Sequence, residues 1–96
     1  MNETPDTIRH WAVDTFGLAK ISRILERTGE ELVELNDAFV ANDADAIIEE
    51  AADVVITLCN LPGLQAAIDA KMAKNRARKW QVMGDGTGYH IKEPTA

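Results

Sequence analysis

An all-α fold follows from three features of the chain. Apolar residues recur at helical spacing over most of its length, helix-start and helix-stop residues stand where those patterns begin and end, and no sustained apolar/polar alternation marks a sheet. At 96 residues the chain makes one domain, with no room for a second core. A lone four-helix core of this size is marginal, so burial by self-association is expected.

Thr4-Pro5-Asp6 opens the first helix, with Thr as N-cap, Pro at the first helical position and Asp near the positive end. This helix runs from Pro5 to Phe16 and stops at Gly17. The second runs from Leu18 or Lys20 to Ala41, with Ile21, Ile24, Leu25, Leu32, Leu35 and Phe39 at helical spacing. Gly29 interrupts it at a cost of about 1 kcal/mol against Ala. Its place just before an acidic cluster suggests close approach of another backbone or a ligand. Asn42-Asp43 caps the third helix, Ala44 to about Leu61, and Pro62-Gly63 ends it. The fourth extends from Leu64 to Trp80 or Val82. Beyond Met83 the segment Gly84-Asp85-Gly86-Thr87-Gly88 breaks the helix, and only Tyr89 to Lys92 has any strand character. The resulting organisation is a helical domain over 1–83 and a Gly-rich C-terminal tail over 84–96.

The net charge of -6, from 16 acidic and 10 basic residues, argues against broad binding to a nucleic acid polymer or an anionic membrane. No segment reaches the roughly 20 apolar residues that span a bilayer. The N-terminal residues lack the basic and apolar regions of a signal peptide, and a cytoplasmic protein is expected. Cys59, the one cysteine, lies in an apolar run and reads as a buried thiol.

Two acidic clusters carry the chemical interest. Glu31 and Glu34 on the second helix, and Glu50 and Asp53 on the third, are each three residues apart and so share one side of their helix. Glu30 flanks the first pair. The short connection between the helices favours antiparallel packing, which would gather four carboxylates. Glu50 and Asp53 sit in an otherwise apolar stretch, where a carboxylate is costly unless something cationic meets it. A hard divalent cation such as Mg²⁺ is the natural occupant. Solvated acidic faces are the competing reading, and for Glu49 the accepted one.

Residues 71–79 hold five of the ten basic side chains. Lys71, Lys74, Asn75 and Arg78 recur at spacings of three and four, a face suited to phosphate. The alternative is the ordinary enrichment of cations in a helix's last turns. Trp11, Phe16, Trp80 and Tyr89 are four of the five aromatic residues, and Trp11 and Trp80 offer flat surfaces on which a nucleobase could stack. His10 either reads a base edge or is simply exposed. The Gly-rich segment matches no complete phosphate-loop signature.

Glu30-Glu31-x-x-Glu34, fifteen residues, and Glu50-x-x-Asp53 together resemble the signature of the MazG-like all-α nucleoside triphosphate pyrophosphohydrolases. Lys71-x-x-x-Asn75-Arg76-x-Arg78-x-Trp80 is similar to the basic helix that follows the acidic pair in that superfamily, and the resemblance covers residues 18–82. It implies a helical domain that assembles as a dimer or a dimer of dimers. It also implies Mg²⁺-dependent hydrolysis of a nucleoside triphosphate, often a deoxynucleotide, to the monophosphate and pyrophosphate, in a nucleotide-pool house-cleaning role. Carried onto this chain, Glu31, Glu34, Glu50 and Asp53 would ligate the metal, and Glu30 would orient or deprotonate water. Lys71, Asn75 and Arg78 would hold phosphate, with Trp11 at the substrate. The alternatives are a phosphoribosyl-ATP pyrophosphatase of the same superfamily, away from which the leading aromatic helix leans, and a non-catalytic helical module that dimerises or binds a partner.

Overall fold

A computed structural model describes residues 2–92. The chain is all-α, with four helices in sequence order: α1 (Pro5–Phe16), α2 (Ile21–Val40), α3 (Ala44–Leu58) and α4 (Leu64–Ala77). Two short strands follow, β1 (Trp80–Val82) and β2 (Gly88–His90). The molecule divides into two compact units, Met1–Gln65 and Ala66–Ala96. Among the described residues no helix is long and apolar enough to cross a membrane.

In the first unit, α1 begins with a reciprocal cap. The Thr4 hydroxyl accepts from the Thr7 N–H at 3.2 Å, and the Thr7 hydroxyl accepts from the Thr4 N–H at 2.8 Å. Two of the helix's orphan donors are thereby satisfied. At the other end Gly17 takes a φ of 83° and sends its N–H back to the Val13 carbonyl. A side chain there would be strained, which is why the helix stops at this residue.

Helix α2 starts at Ile21, its first turn satisfied through the Lys20 carbonyl and without a side-chain cap. Three residues then return the chain into α3 as an αα-hairpin. Asn42 turns it in the left-handed region at φ 55°, and the Asp43 carboxylate caps α3 by accepting from the Ala46 N–H at 3.1 Å. The long faces of α2 and α3 pack together. Among the described residues the buried apolar side chains are few, Ala12, Ile24, Ala38 and Cys59, with Thr28 beside them donating to the Ile24 carbonyl. Burial pushes the Cys59 thiol up, so this is an inert neutral side chain, as its apolar run predicts.

At Gly29 the expected approach of another backbone is not found within the chain. A Cβ built there meets nothing within 4 Å, so no backbone approaches it among the described residues.

The second unit contains most of α4 and the hairpin. Here the expected helix to Trp80 or Val82 is corrected: α4 ends at Ala77, and Trp80–Val82 is a strand. The indole N–H of Trp80 donates to the Asn75 carbonyl at 2.7 Å, closing the helix end with a side chain. Trp80 then pairs with His90, Gln81 with Tyr89 and Val82 with Gly88 in antiparallel register. Gly84 and Gly86, both at φ 89°, carry the turn. Asp85 pins the turn by accepting from the Thr87 N–H and hydroxyl, and those bonds hold its carboxyl below the usual range.

Candidate active site

The αα-hairpin brings the two acidic clusters face to face. One oxygen each from Glu31, Glu50 and Asp53 lies within 4.8 Å of the others. That spacing is close to the span across an octahedral Mg²⁺ shell, about 4.2 Å between opposite ligands. Glu34, one turn after Glu31, is exposed and stands outside this tight trio. Its charge nonetheless reaches both Glu31 and Glu50.

The electrostatics describe a pocket short of positive charge. Burial raises the Glu31 carboxyl above its ordinary value, a hydrogen bond with the Glu34 carboxyl raises it next, the charges of Glu34 and Asp53 push it further, and Arg27 pulls the other way. Glu50 is raised by burial first, then by Glu34 and Asp53. Oε2 of Glu31 and Oε2 of Glu50 are both shielded from solvent with no hydrogen-bond donor. Crowded carboxylate oxygens of this kind are relieved either by a proton shared with the Glu34 carboxyl, which lies within hydrogen-bond reach of Glu31 and Glu50, or by a hard cation, and the all-oxygen donor set suits Mg²⁺.

Glu30 is placed differently. Its carboxylate meets Arg27 Nη1 at 2.7 Å and lies 3.9 Å from Arg23 Nη1, outside the converging trio. Arg27 also reaches Glu31 Oε1 at 3.5 Å through Nη2, so it bridges the two neighbouring glutamates.

An open hollow of about 590 Å³ adjoins the acidic trio. Trp11 and Phe16, packed edge to face with ring centroids 5.5 Å apart, lie along it, as do Arg23, Arg27, Ile56 and Asp53. Asp53 therefore belongs to both the trio and the hollow, and Trp11 lines the hollow too. His10 does not: it is exposed and lies 3.2 Å from Asp14 through Nε2. Thr57 and Asn60 also line the hollow, and the sequence reading passed over both. The signal was present, since Asp53, Ile56, Thr57 and Asn60 continue one stripe at spacings of three, four and seven.

The remaining residues lie in the second unit. Lys71 is exposed on α4, Asn75 is half-buried with its carbonyl taken by Trp80, and Arg78 follows the helix end with its N–H bonded to the Lys74 carbonyl.

No curated protein and no solved structure matches the chain. The family model described as PRA-PH, phosphoribosyl-ATP pyrophosphohydrolase, matches residues 2–76, which takes in α1, both acidic clusters, Lys71 and Asn75 but stops before Arg78 and the hairpin. With more than three-quarters of its length so matched, the chain belongs to the phosphoribosyl-ATP pyrophosphohydrolase family, within the MazG-like all-α superfamily of pyrophosphohydrolases.

Proposed function

We propose that this pyrophosphohydrolase is Mg²⁺-dependent and acts on nucleoside triphosphates, releasing the monophosphate and pyrophosphate in nucleotide-pool house-cleaning. The observation that carries this reading is the convergence of Glu31, Glu50 and Asp53 with two orphaned oxygens, at the edge of an aromatic hollow. Glu31, Glu50 and Asp53 would hold the metal, with Glu34 as the fourth carboxylate. Bound there, Mg²⁺ supplies charge neutralisation for the phosphates and for the leaving pyrophosphate.

The chain's own residues account for the rest. The hollow takes the nucleoside, with Trp11 offering a flat face. Arg23 and Arg27 line the same hollow and can exchange their glutamate partners for phosphate oxygens. Glu30 becomes available to accept a proton from the attacking water when Arg27 turns to phosphate. Lys71, Asn75 and Arg78 have the chemistry of phosphate ligands and are assigned to that role.

A second substrate reading is favoured by the family match itself: phosphoribosyl-ATP, whose triphosphate offers the same bond to the same carboxylates. Incubation with Mg²⁺ and a panel containing deoxynucleoside triphosphates, ribonucleoside triphosphates and phosphoribosyl-ATP, with pyrophosphate and orthophosphate measured separately, decides between them. Pyrophosphate from the simple nucleotides supports the first reading, and from phosphoribosyl-ATP alone the second. Orthophosphate without pyrophosphate would contradict the bond assigned. In the same panel, Lys71→Ala should mainly raise KM, and an unchanged KM removes Lys71 from the site.

We also infer assembly as a homodimer or homotetramer. Leu25, Leu32 and Phe39, spaced by sevens along α2, are each at least half exposed, as are Ile48 and Val55 on α3. Apolar rows of that kind mark surfaces covered in the working molecule.

A further inference from the structure

Asn60 lies in the turn just past α3 and lines the same hollow as Asp53, Ile56 and Thr57 of that helix. Five residues of helical rise to Leu58 and a tight turn through Cys59 set it roughly 10 Å from Asp53 along the chain's course. That is on the scale of a nucleoside measured from its 5′ oxygen to the outer edge of its base. Its side-chain NH₂ donates to the Thr57 carbonyl at 2.9 Å, with the Ile56 carbonyl a further 3.5 Å contact. These contacts also dictate which way round the amide sits. Reversing it would set Oδ1 against two carbonyl oxygens and leave the NH₂ without them. Oδ1 is thus the one polar atom of this half-buried side chain left for a ligand, and it can only accept.

We propose that Asn60 is a specificity-determining residue that selects bases bearing an exocyclic amino group, adenine or cytosine, over their keto counterparts. The 6-amino group of adenine and the 4-amino group of cytosine donate, whereas hypoxanthine and uracil present an oxygen at the same ring position. An acceptor locked in place gains a hydrogen bond from the first pair and faces an unpaired oxygen with the second. Trp11 and Ile56 supply the apolar walls, which do not distinguish amino from keto groups, so discrimination falls to Asn60. This inference rests on the hollow being the nucleotide site.

The test compares the calorimetric affinities of α,β-methylene ATP and α,β-methylene ITP, which cannot be cleaved at the α–β bond, in wild type and Asn60→Ala. Hydrolysis of ATP against ITP, and of CTP against UTP, is measured alongside. Wild type should favour the amino member by about tenfold or more, and Asn60→Ala should bring the ratio close to one. Because the readout is a ratio within one preparation, any loss of helix-end capping in the variant lowers both members together. Equal wild-type affinity for the two analogues, or a preference that survives Asn60→Ala, overturns the role of Asn60 even if pyrophosphate is released normally. Failure of every analogue to bind overturns the nucleotide reading of the hollow, and the Asn60 assignment falls with it.

Discussion

Glu31 and Arg27 are joined through only half of the carboxylate. Oε1 of Glu31 lies 3.5 Å from Arg27 Nη2, while Oε2 is shielded and has no donor. Arg27 spends its shorter contact, 2.7 Å, on Glu30. The guanidinium therefore offsets only part of what raises the Glu31 carboxyl, burial first, then the hydrogen bond with Glu34 and the charges of Glu34 and Asp53. The protein holds a deficit of positive charge at one point, and the consequences of that deficit can be measured.

Glu50→Gln and Asp53→Asn keep side-chain shape and remove charge at the proposed metal. Turnover should fall at least a hundredfold in each, roughly the upper end of what losing even an outer partner of a metal costs. Helicity by circular dichroism should be unchanged. Without metal, Glu50→Gln should melt above wild type, because a carboxylate raised by burial and by the like charges of Glu34, Asp53 and Glu31 has been neutralised. Full turnover in both variants would remove these carboxylates from the chemistry.

The same two raised glutamates set a pH dependence. A carboxyl whose pKa is higher in the fold binds its proton more readily there than in the unfolded chain. Its contribution favouring the fold is complete below the unfolded value and is lost as pH climbs through the raised folded value. In EDTA, the melting temperature should therefore carry a downward component between the ordinary glutamate value and the raised values of Glu31 and Glu50. Melts of wild type and Glu50→Gln across that range isolate it, since the variant should decline less. An identical slope in the two proteins would show that Glu50 titrates normally.

Gly29 gives a prediction of the opposite kind. It sits inside α2 with open space where a Cβ would be. Gly29→Ala should then stabilise the protein by about 0.5–1 kcal/mol, the usual difference in a helix interior. For a domain of this size that is a rise of several degrees in melting temperature. If the variant melts higher but loses substrate affinity or assembly, a ligand or second copy approaches Gly29 in the working complex.

What the sequence made legible follows local chemistry. The limits of α1 were readable because Thr4, Pro5 and Gly17 each act on their own backbone. The meeting of Glu31 with Glu50 and Asp53 was readable because a short connection forces two helices together, and spacing then fixes which side chains face. The end of α4 was not. Trp80 has the period of a helical residue, and only its indole bond to the Asn75 carbonyl and its pairing with His90 turn it into a strand. Nor was the attachment of Glu30 to Arg27 and Arg23, because Arg27 has both Glu30 and Glu31 within a turn, and Arg23 reaches Glu30 across seven residues, beyond the spacings of three and four that pair neighbours. The acceptor role of Asn60 was equally hidden, since it depends on where its amide nitrogen is bonded.

The exposed apolar row on α2 leads to a prediction about assembly. Phe39 is 69% exposed and Leu32 50%, large side chains that the described residues leave uncovered. The buried apolar set among the described residues, Ala12, Ile24, Ala38 and Cys59, is too small to stabilise the αα-hairpin comfortably alone. Contact between copies would bury the row and make melting temperature rise with protein concentration. Phe39→Lys places a charge on that row without touching the acidic trio. In sedimentation equilibrium, wild type should run as a dimer or larger, and the variant should shift toward 10.5 kDa and melt lower. A wild type that stays monomeric at high concentration, with a melting temperature independent of concentration, would mean that the row is covered by something other than a second copy.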